Sequence, residues 1–347
     1  MDRMFLEISN VSKTFPGVKA LQNVHFDIYP GEVHALVGEN GAGKSTLIKI
    51  LSGVYQPDEG ALIKIDGKET VINNAIDAIK KGISVIYQDF SLFKNLTVAE
   101  NIGINGMIEQ DKKIVDWKAI NKKAKDALDF LKADIDLSSI VENLSVAKQQ
   151  MVAIASAVAE DAKMIIMDEP TSALSKQEVL HLYDIIDSLK AKGIAIMFVS
   201  HKMDELFKVA DRFTVLRDGQ YVKTVKKTEV CENQLISMMV GRKVEIKQYA
   251  NLEKKGEVIL KLENLSKKGN FKNINLEVKA GEVVGLTGLV GAGRSELAQA
   301  VFGISKPDSG KIYVSGKEVH IKNPAEALKE KLCAKGFDAF IYESPLD

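Results

Sequence analysis

Only two cysteines occur in 347 residues. Cys231 and Cys333 lie far apart in the chain and match neither a paired metal-ligand spacing nor a disulfide framework, so a reducing cytosol is the simple expectation. Net charge is missing too, because 47 lysines and arginines balance 47 aspartates and glutamates. No long-range field draws such a chain to DNA, RNA or anionic lipid, and nucleic acid is not an expected partner. Long apolar runs are also lacking. No stretch reaches the roughly 18 to 20 residues that span a bilayer, and the opening Met1–Asp2–Arg3–Met4 has no basic segment leading into an apolar one. Any work at a membrane would need a partner to hold the chain there. What is present is ordinary for a folded protein: 46% apolar and 27% charged residues, over a length that suggests two domains.

The most informative feature is a repeat. Residues 30–69 read PGEVHALVGENGAGKSTLIKILSGVYQPDEGALIKIDGKE and residues 280–318 read AGEVVGLTGLVGAGRSELAQAVFGISKPDSGKIYVSGKE. Gly31 matches Gly281, Glu32 matches Glu282, Gly43 matches Gly293 and Pro57 matches Pro307 at one constant offset, with a single gap near the end. The chain therefore reads as a duplicated domain, with a first copy over 1–243, a polar linker over 244–257 and a second copy over 258–347. Each copy opens on alternating apolar and polar residues (LEISNVSKTF, then LKLENLSKKGNF), which suits strands with one solvated face. VHALV, ISVI, MIIM and IAIMFVS are short apolar runs separated by helix-like segments, the pattern of buried parallel strands in an α/β fold with a mixed sheet core. Between Asp89 and Leu144 strand signals vanish and apolar residues take helical spacing, so a helical subdomain over about 89–160 is expected inside the first copy.

GENGAGKS (38–45) fits the phosphate-loop pattern of glycine, four residues, glycine, lysine and serine or threonine. The glycines let backbone amides converge on phosphate oxygens, the helix starting near Lys44 presents its positive end, Lys44 reaches the outer phosphates and the Ser45 hydroxyl ligates magnesium. Such a match arises by accident in on the order of one chain in a hundred of this length, and here the apolar run VHALV precedes it and a helical pattern follows. Gly38, Glu39, Asn40, Gly41, Ala42, Gly43, Lys44, Ser45 and Thr46 are therefore the candidate ATP cradle. Downstream, MIIMDEP ends a strand in two carboxylates, placing Asp168 to hold Mg2+ through water and Glu169 to polarise an attacking water. A lone histidine at a strand end, such as His201 after IAIMFVS, is more often structural than catalytic. One strand beyond Asp168 and Glu169, the catalytic reading prevails.

With these motifs in hand, the chain resembles ATP-binding-cassette ATPases of the P-loop NTPase fold over residues 4 to about 332. The resemblance implies that Gln88 is the Q-loop glutamine touching magnesium and signalling to a transmembrane partner. It implies also that Phe15 stacks on adenine, that Ser172–Ala173–Leu174–Ser175 forms the D-loop and that His201 contacts the γ-phosphate. A tandem chain whose second phosphate loop reads GAGR is similar to the ribose, galactose and xylose importer ATPases. That implies a peripheral subunit at the cytoplasmic face of the cell membrane, working with permease subunits and indirectly with an extracytoplasmic solute-binding protein. Two such domains close head to tail over ATP. Departures are specific. The signature loop, typically Leu-Ser-Gly-Gly-Gln, reads Leu144–Ser145–Val146–Ala147–Lys148, where the Ala147 methyl crowds a close backbone approach. Arg294 replaces the lysine of the second loop, so that site is expected to hydrolyse poorly. After Leu332 the likeness stops, and CAKGFDAFIYESPLD does not read as the strand and Q-loop due next. The second copy is thus expected to be incomplete, and the chain alone to bind Mg-ATP but turn it over slowly. A soluble cassette protein of translation or DNA repair, or a remnant impaired in hydrolysis, are the alternative readings.

Overall fold

Short runs made almost wholly of branched and apolar residues cannot leave either face in water, and in this chain they become the inner strands of a sheet covered on both sides. A computed structural model describes residues 3–87, 92–109, 116–242, 256–288, 291–334 and 341–343. The chain divides into two compact units, Met1–Glu245 and Ile246–Asp347.

In the first unit β1 (Leu6–Phe15) and β2 (Val18–Ile28) form an antiparallel pair, followed by β3 (Val33–Val37), the phosphate loop and α1 (Lys44–Leu51). β4 (Leu62–Ile65), β5 (Lys68–Glu69), α2 (Ala75–Lys80) and β6 (Ile83–Ile86) come next. Three helices follow, α3 (Val98–Glu109), α4 (Trp117–Phe130) and α5 (Val146–Ala159), and they pack on one another. The unit finishes with β7 (Met164–Asp168), α6 (Lys176–Ala191), β8 (Ala195–Val199), α7 (Met203–Val209), β9 (Arg212–Arg217), β10 (Gln220–Lys226) and α8 (Glu232–Val240). The sheet runs β5-β4-β1-β2-β10-β9-β3-β8-β7-β6. β9, β3, β8, β7 and β6 are parallel, whereas β1, β2, β4 and β5 form an antiparallel layer whose strand pairing with the rest, among the described residues, is Gln22 opposite Gln220. The mixed α/β architecture expected from the sequence is therefore present.

Alternation along the inner strands feeds two cores. Ala35, Ile165, Met167, Ile196 and Phe198 face the core shared with α5 and α6, while Leu36, Ile166, Met197 and Val199 face the one shared with α1. β3 is also held at its start by charge. Arg212 donates to Glu32 and Asp27, each at 2.6 Å, and Glu32 accepts from the Tyr29 amide at 2.9 Å. Burial opposes ionisation of Glu32, but hydrogen bonds from His34 and Arg212 outweigh it and hold its carboxyl at about 2.

The second unit has β11 (Val258–Lys267), β12 (Phe271–Lys279), α9 (Arg294–Val301), β13 (Ser309–Val314), β14 (Lys317–Val319) and α10 (Pro324–Lys329). Its sheet order, β12-β11-β13-β14, repeats the antiparallel layer of the first unit. The counterpart of β3 differs. Residues 282–288 form no strand, and Val283 and Leu286 are 89% and 46% exposed, although Val33 and Leu36 are wholly buried. β3 is a strand because β8 and β9 flank it, and among the described residues the second unit has no counterpart of either. The sequence after Leu332 does not read as the strand and Q-loop due next; in the structure β15 (Leu332–Ala334) follows α10 and pairs with β16 (Ile341–Glu343), Cys333 lying opposite Tyr342. β15 stands where β6 stands in the first unit, but its pairing is antiparallel, unlike the parallel pairing of β6 with β7. Of the expected linker over 244–257, only residues 256 and 257 fall within the described chain.

Candidate nucleotide site

Three adjacent parallel strands deliver the candidate residues to one edge of the sheet. The phosphate loop leaves the end of β3, His201 lies just past β8, and Asp168 with Glu169 lies at the end of β7. Carboxyl ends of parallel strands are where α/β folds open a crevice for ligands.

The loop's shape is set by its glycines. Gly41 and Gly43 take φ values of 86° and 98°, and a Cβ on Gly43 would come within 2.6 Å of Leu21 Cδ2 and 2.7 Å of the Ala20 carbonyl. Gly43 also caps α1 without any side-chain hydrogen bond, and no acidic residue stands in the first turn. The amides of that turn are thus left to an anion. Lys44 folds back, donating to the carbonyls of Gly38 at 2.7 Å and Glu39 at 3.0 Å, so its ammonium lies across the loop. Burial lowers the Lys44 pKa, while Asp168 and Glu169 act to raise it. Ser45 is exposed at the helix start, Thr46 half-buried beside it and Ala42 buried beneath the loop; Glu39, Asn40 and Gly41 are exposed.

Asp168 is the group most in need of a cation. Burial, and then the neighbouring Glu169 charge, push its pKa up, with Lys44 opposing. A divalent ion would relieve that crowding. Among the described residues no three His, Cys, Asp or Glu side chains converge. Magnesium generally takes one or two carboxylates and completes its octahedron with phosphate and water, and Asp168 would supply such a carboxylate. Glu169 sits in the left-handed region at φ 50°, its amide donating to the Val199 carbonyl at 2.8 Å. His201 Nδ1 donates to Glu169 Oε1 at 3.1 Å. The imidazole is otherwise open to solvent, with 65% of its side chain exposed.

Phe15 ends β1 and is half-buried, with Tyr55 edge-on at a centroid distance of 5.2 Å and the Lys13 ammonium 5.5 Å from its ring. The strand that follows it supplies Ala20 and Leu21, whose atoms lie nearest to a Cβ built on Gly43. Gln88 lies outside the described residues. Ser145 caps α5, accepting from the Lys148 amide at 3.4 Å, and Val146 is 41% exposed. Ser175 forms a capping box with Glu178 at the start of α6. Sequence reasoning missed Tyr55 and the buried group of Thr171, Ser200 and Glu205. An aromatic just past α1 was a usable signal for the first; nothing local marks the second.

A phosphate loop, a carboxylate pair and a histidine at one sheet edge define a P-loop nucleotide-binding fold. The chain belongs to the ABC transporter family, whose profile matches residues 21–172 and 271–335. A putative ribose/galactose/methyl galactoside import ATP-binding protein of Hahella chejuensis is 46% identical over 324 residues, spanning 93% of this chain and 63% of that protein. A ribose import ATP-binding protein of Roseobacter denitrificans is 46% identical over 318 residues, spanning 92% of this chain and 62% of that protein. The chain thus spans less than two thirds of these relatives. Among solved structures, the ADP conformation of MJ1267, an ATP-binding cassette of an ABC transporter, is similar at a TM-score of 0.58 and 26% identity, over 68% of this chain and 95% of that one. A dimeric post-hydrolysis state of the ATP-binding cassette MJ0796 bound to ADP and Pi is similar at 0.56 and 25%, over 64% of this chain and 98% of that one.

Proposed function

We propose that this chain is the ATP-binding and ATP-hydrolysing subunit that energises a membrane importer for a monosaccharide or related solute. The observation that carries it is the Lys44 ammonium folded across an uncapped glycine loop, at the same sheet edge as Asp168 and Glu169. In this reading the loop amides and Lys44 grip the polyphosphate, Phe15 with Tyr55 receives the base, and Ser45, Asp168 and Gln88 hold magnesium, which neutralises phosphate charge. Glu169 then orients water in line with the outer phosphate and His201 holds both partners in register. Phosphoryl transfer needs positioning and charge stabilisation more than covalent chemistry, so donors and carboxylates suffice.

Importer relatives support permease subunits as partners, and our reading adds a place on the cytoplasmic face of the membrane and, indirectly, an extracytoplasmic solute-binding protein. Among the described residues no helix is long and apolar enough to cross a membrane, so such a permease would hold the chain there. The dimeric cassette supports a pair of nucleotide domains as the working unit, closed head to tail in this reading. Calorimetry of the purified chain tests the reading: micromolar Mg-dependent ATP binding is expected, falling at least tenfold with Lys44→Ala. Unchanged affinity in that variant would overturn it.

A further inference from the structure

Glu169 and His201 form the hydrogen-bonded pair of the site. His201 is mostly exposed and Glu169 keeps an unfavourable backbone angle. Such a conformation persists only where its surroundings over-determine it. The fixing contacts converge on one side chain that the proposed chemistry does not use. Glu205, 5% exposed on the first turn of α7, accepts from the Thr171 hydroxyl at 2.5 Å, the Ser200 hydroxyl at 3.1 Å and the Lys202 ammonium at 2.9 Å. Ser200 and Lys202 flank His201 in the chain, and the Lys202 amide also donates to Ser200 Oγ at 3.1 Å. Thr171, itself 2% exposed, lies two residues past Glu169.

We propose that Glu205 is a positioning residue that sets His201 and Glu169 in register by tying together the two loops that carry them. This rests on the functional reading above. A buried carboxylate with three partners is a costly way merely to anchor a helix, and Leu206, fully buried beside it, already does that by packing. What the carboxylate adds is direction: three donors from two loops must meet two oxygens, which fixes both backbones at once. Its hydrogen bonds go to the loops that carry Glu169 and His201 rather than to the phosphate loop, so the phosphate grip should survive its loss while water orientation should not.

Glu205→Gln keeps the shape but offers its amide hydrogens toward groups that themselves donate. We expect it to bind Mg-ATP within twofold of the unaltered chain, with turnover lowered at least tenfold and KM nearly constant. The histidine side-chain nitrogen resonances of His201, read by NMR without nucleotide, are expected to move. Thr171→Val, which removes a single donor, should shift both readouts in the same direction by less, and it serves where Glu205→Gln does not fold. Variants that fold with unaltered turnover and unmoved His201 resonances would overturn the proposal, as would a loss of Mg-ATP affinity matching the loss of turnover. Failure of the unaltered chain to bind Mg-ATP would instead overturn the functional reading, and the His201 resonances would still decide the role of Glu205.

Discussion

Gly43 shows how little latitude a single residue has in this site. A methyl group there meets Leu21 and the Ala20 carbonyl inside contact distance, in a backbone region that side chains rarely adopt. Gly43→Ala is therefore expected to cost roughly 1–3 kcal/mol of stability and to weaken Mg-ATP binding, read by denaturant unfolding and calorimetry. Glu169 makes the opposite case. Its carboxylate can be neutralised without a change of shape, so Glu169→Gln should retain ATP affinity while lowering turnover about a hundredfold or more. Equal turnover in the two proteins would remove Glu169 from the proposed chemistry. Glu32 acts on stability alone. Its folded pKa of about 2 lies below the ordinary 4.5, so its contribution is complete above 4.5 and is lost as pH falls toward 2. The linkage is on the order of 3 kcal/mol, and Glu32→Gln should flatten the fall of the unfolding midpoint over that window. The phosphate loop, Asp168 and Glu169 were legible because their chemistry is written in adjacent residues. The partnership of Arg212 with Asp27 and Glu32 was not, since those residues meet only after the whole first unit has folded.

At the scale of elements, β8 carries more than its length suggests. It lies between β3 and β7, the strands that end in the phosphate loop and in the carboxylate pair, and His201 follows two residues past its own end. Phe198 is fully buried in the core shared with α5 and α6. Phe198→Ala is expected to destabilise the first unit by about 3–5 kcal/mol, and a loss below about 1 kcal/mol in denaturant unfolding would contradict its central place. The runs MIIM and IAIMFVS declared β7 and β8 in the sequence because a strand buried on both faces has no room for polar residues. Neighbour order was not legible in the same way. Nothing in VHALV states that its partners are β8 and β9, because parallel pairing joins segments separated by entire helices. The group around Glu205 was hidden for a related reason: Thr171, Ser200 and Lys202 are ordinary loop residues until β7 and β8 lie side by side.

At the scale of the whole chain, the two copies share a sequence pattern but not a set of neighbours, and this separates what a motif encodes from what a fold supplies. GEVHALVG and GEVVGLTG are alike in length and apolarity, yet the first is a buried strand and the second, over residues 282–288, is not. Local propensity is therefore insufficient; a central parallel strand exists only when strands on both sides satisfy its amides and cover its faces. The antiparallel layer of the second unit needs no such help, since β11 pairs with both β12 and β13 from nearby sequence. Hydrogen exchange should resolve the contrast within one molecule. The amides of Val33–Val37 are expected to open only near the free energy of unfolding the first unit, those of β11 to show intermediate protection, and those of residues 282–288 to exchange almost as in an unfolded chain. Protection of Val283–Leu286 equal to that of Val33–Leu36 would mean that partners reach the second loop in solution. The loop that carries Arg294 would then be backed by a formed strand, as the first phosphate loop is by β3.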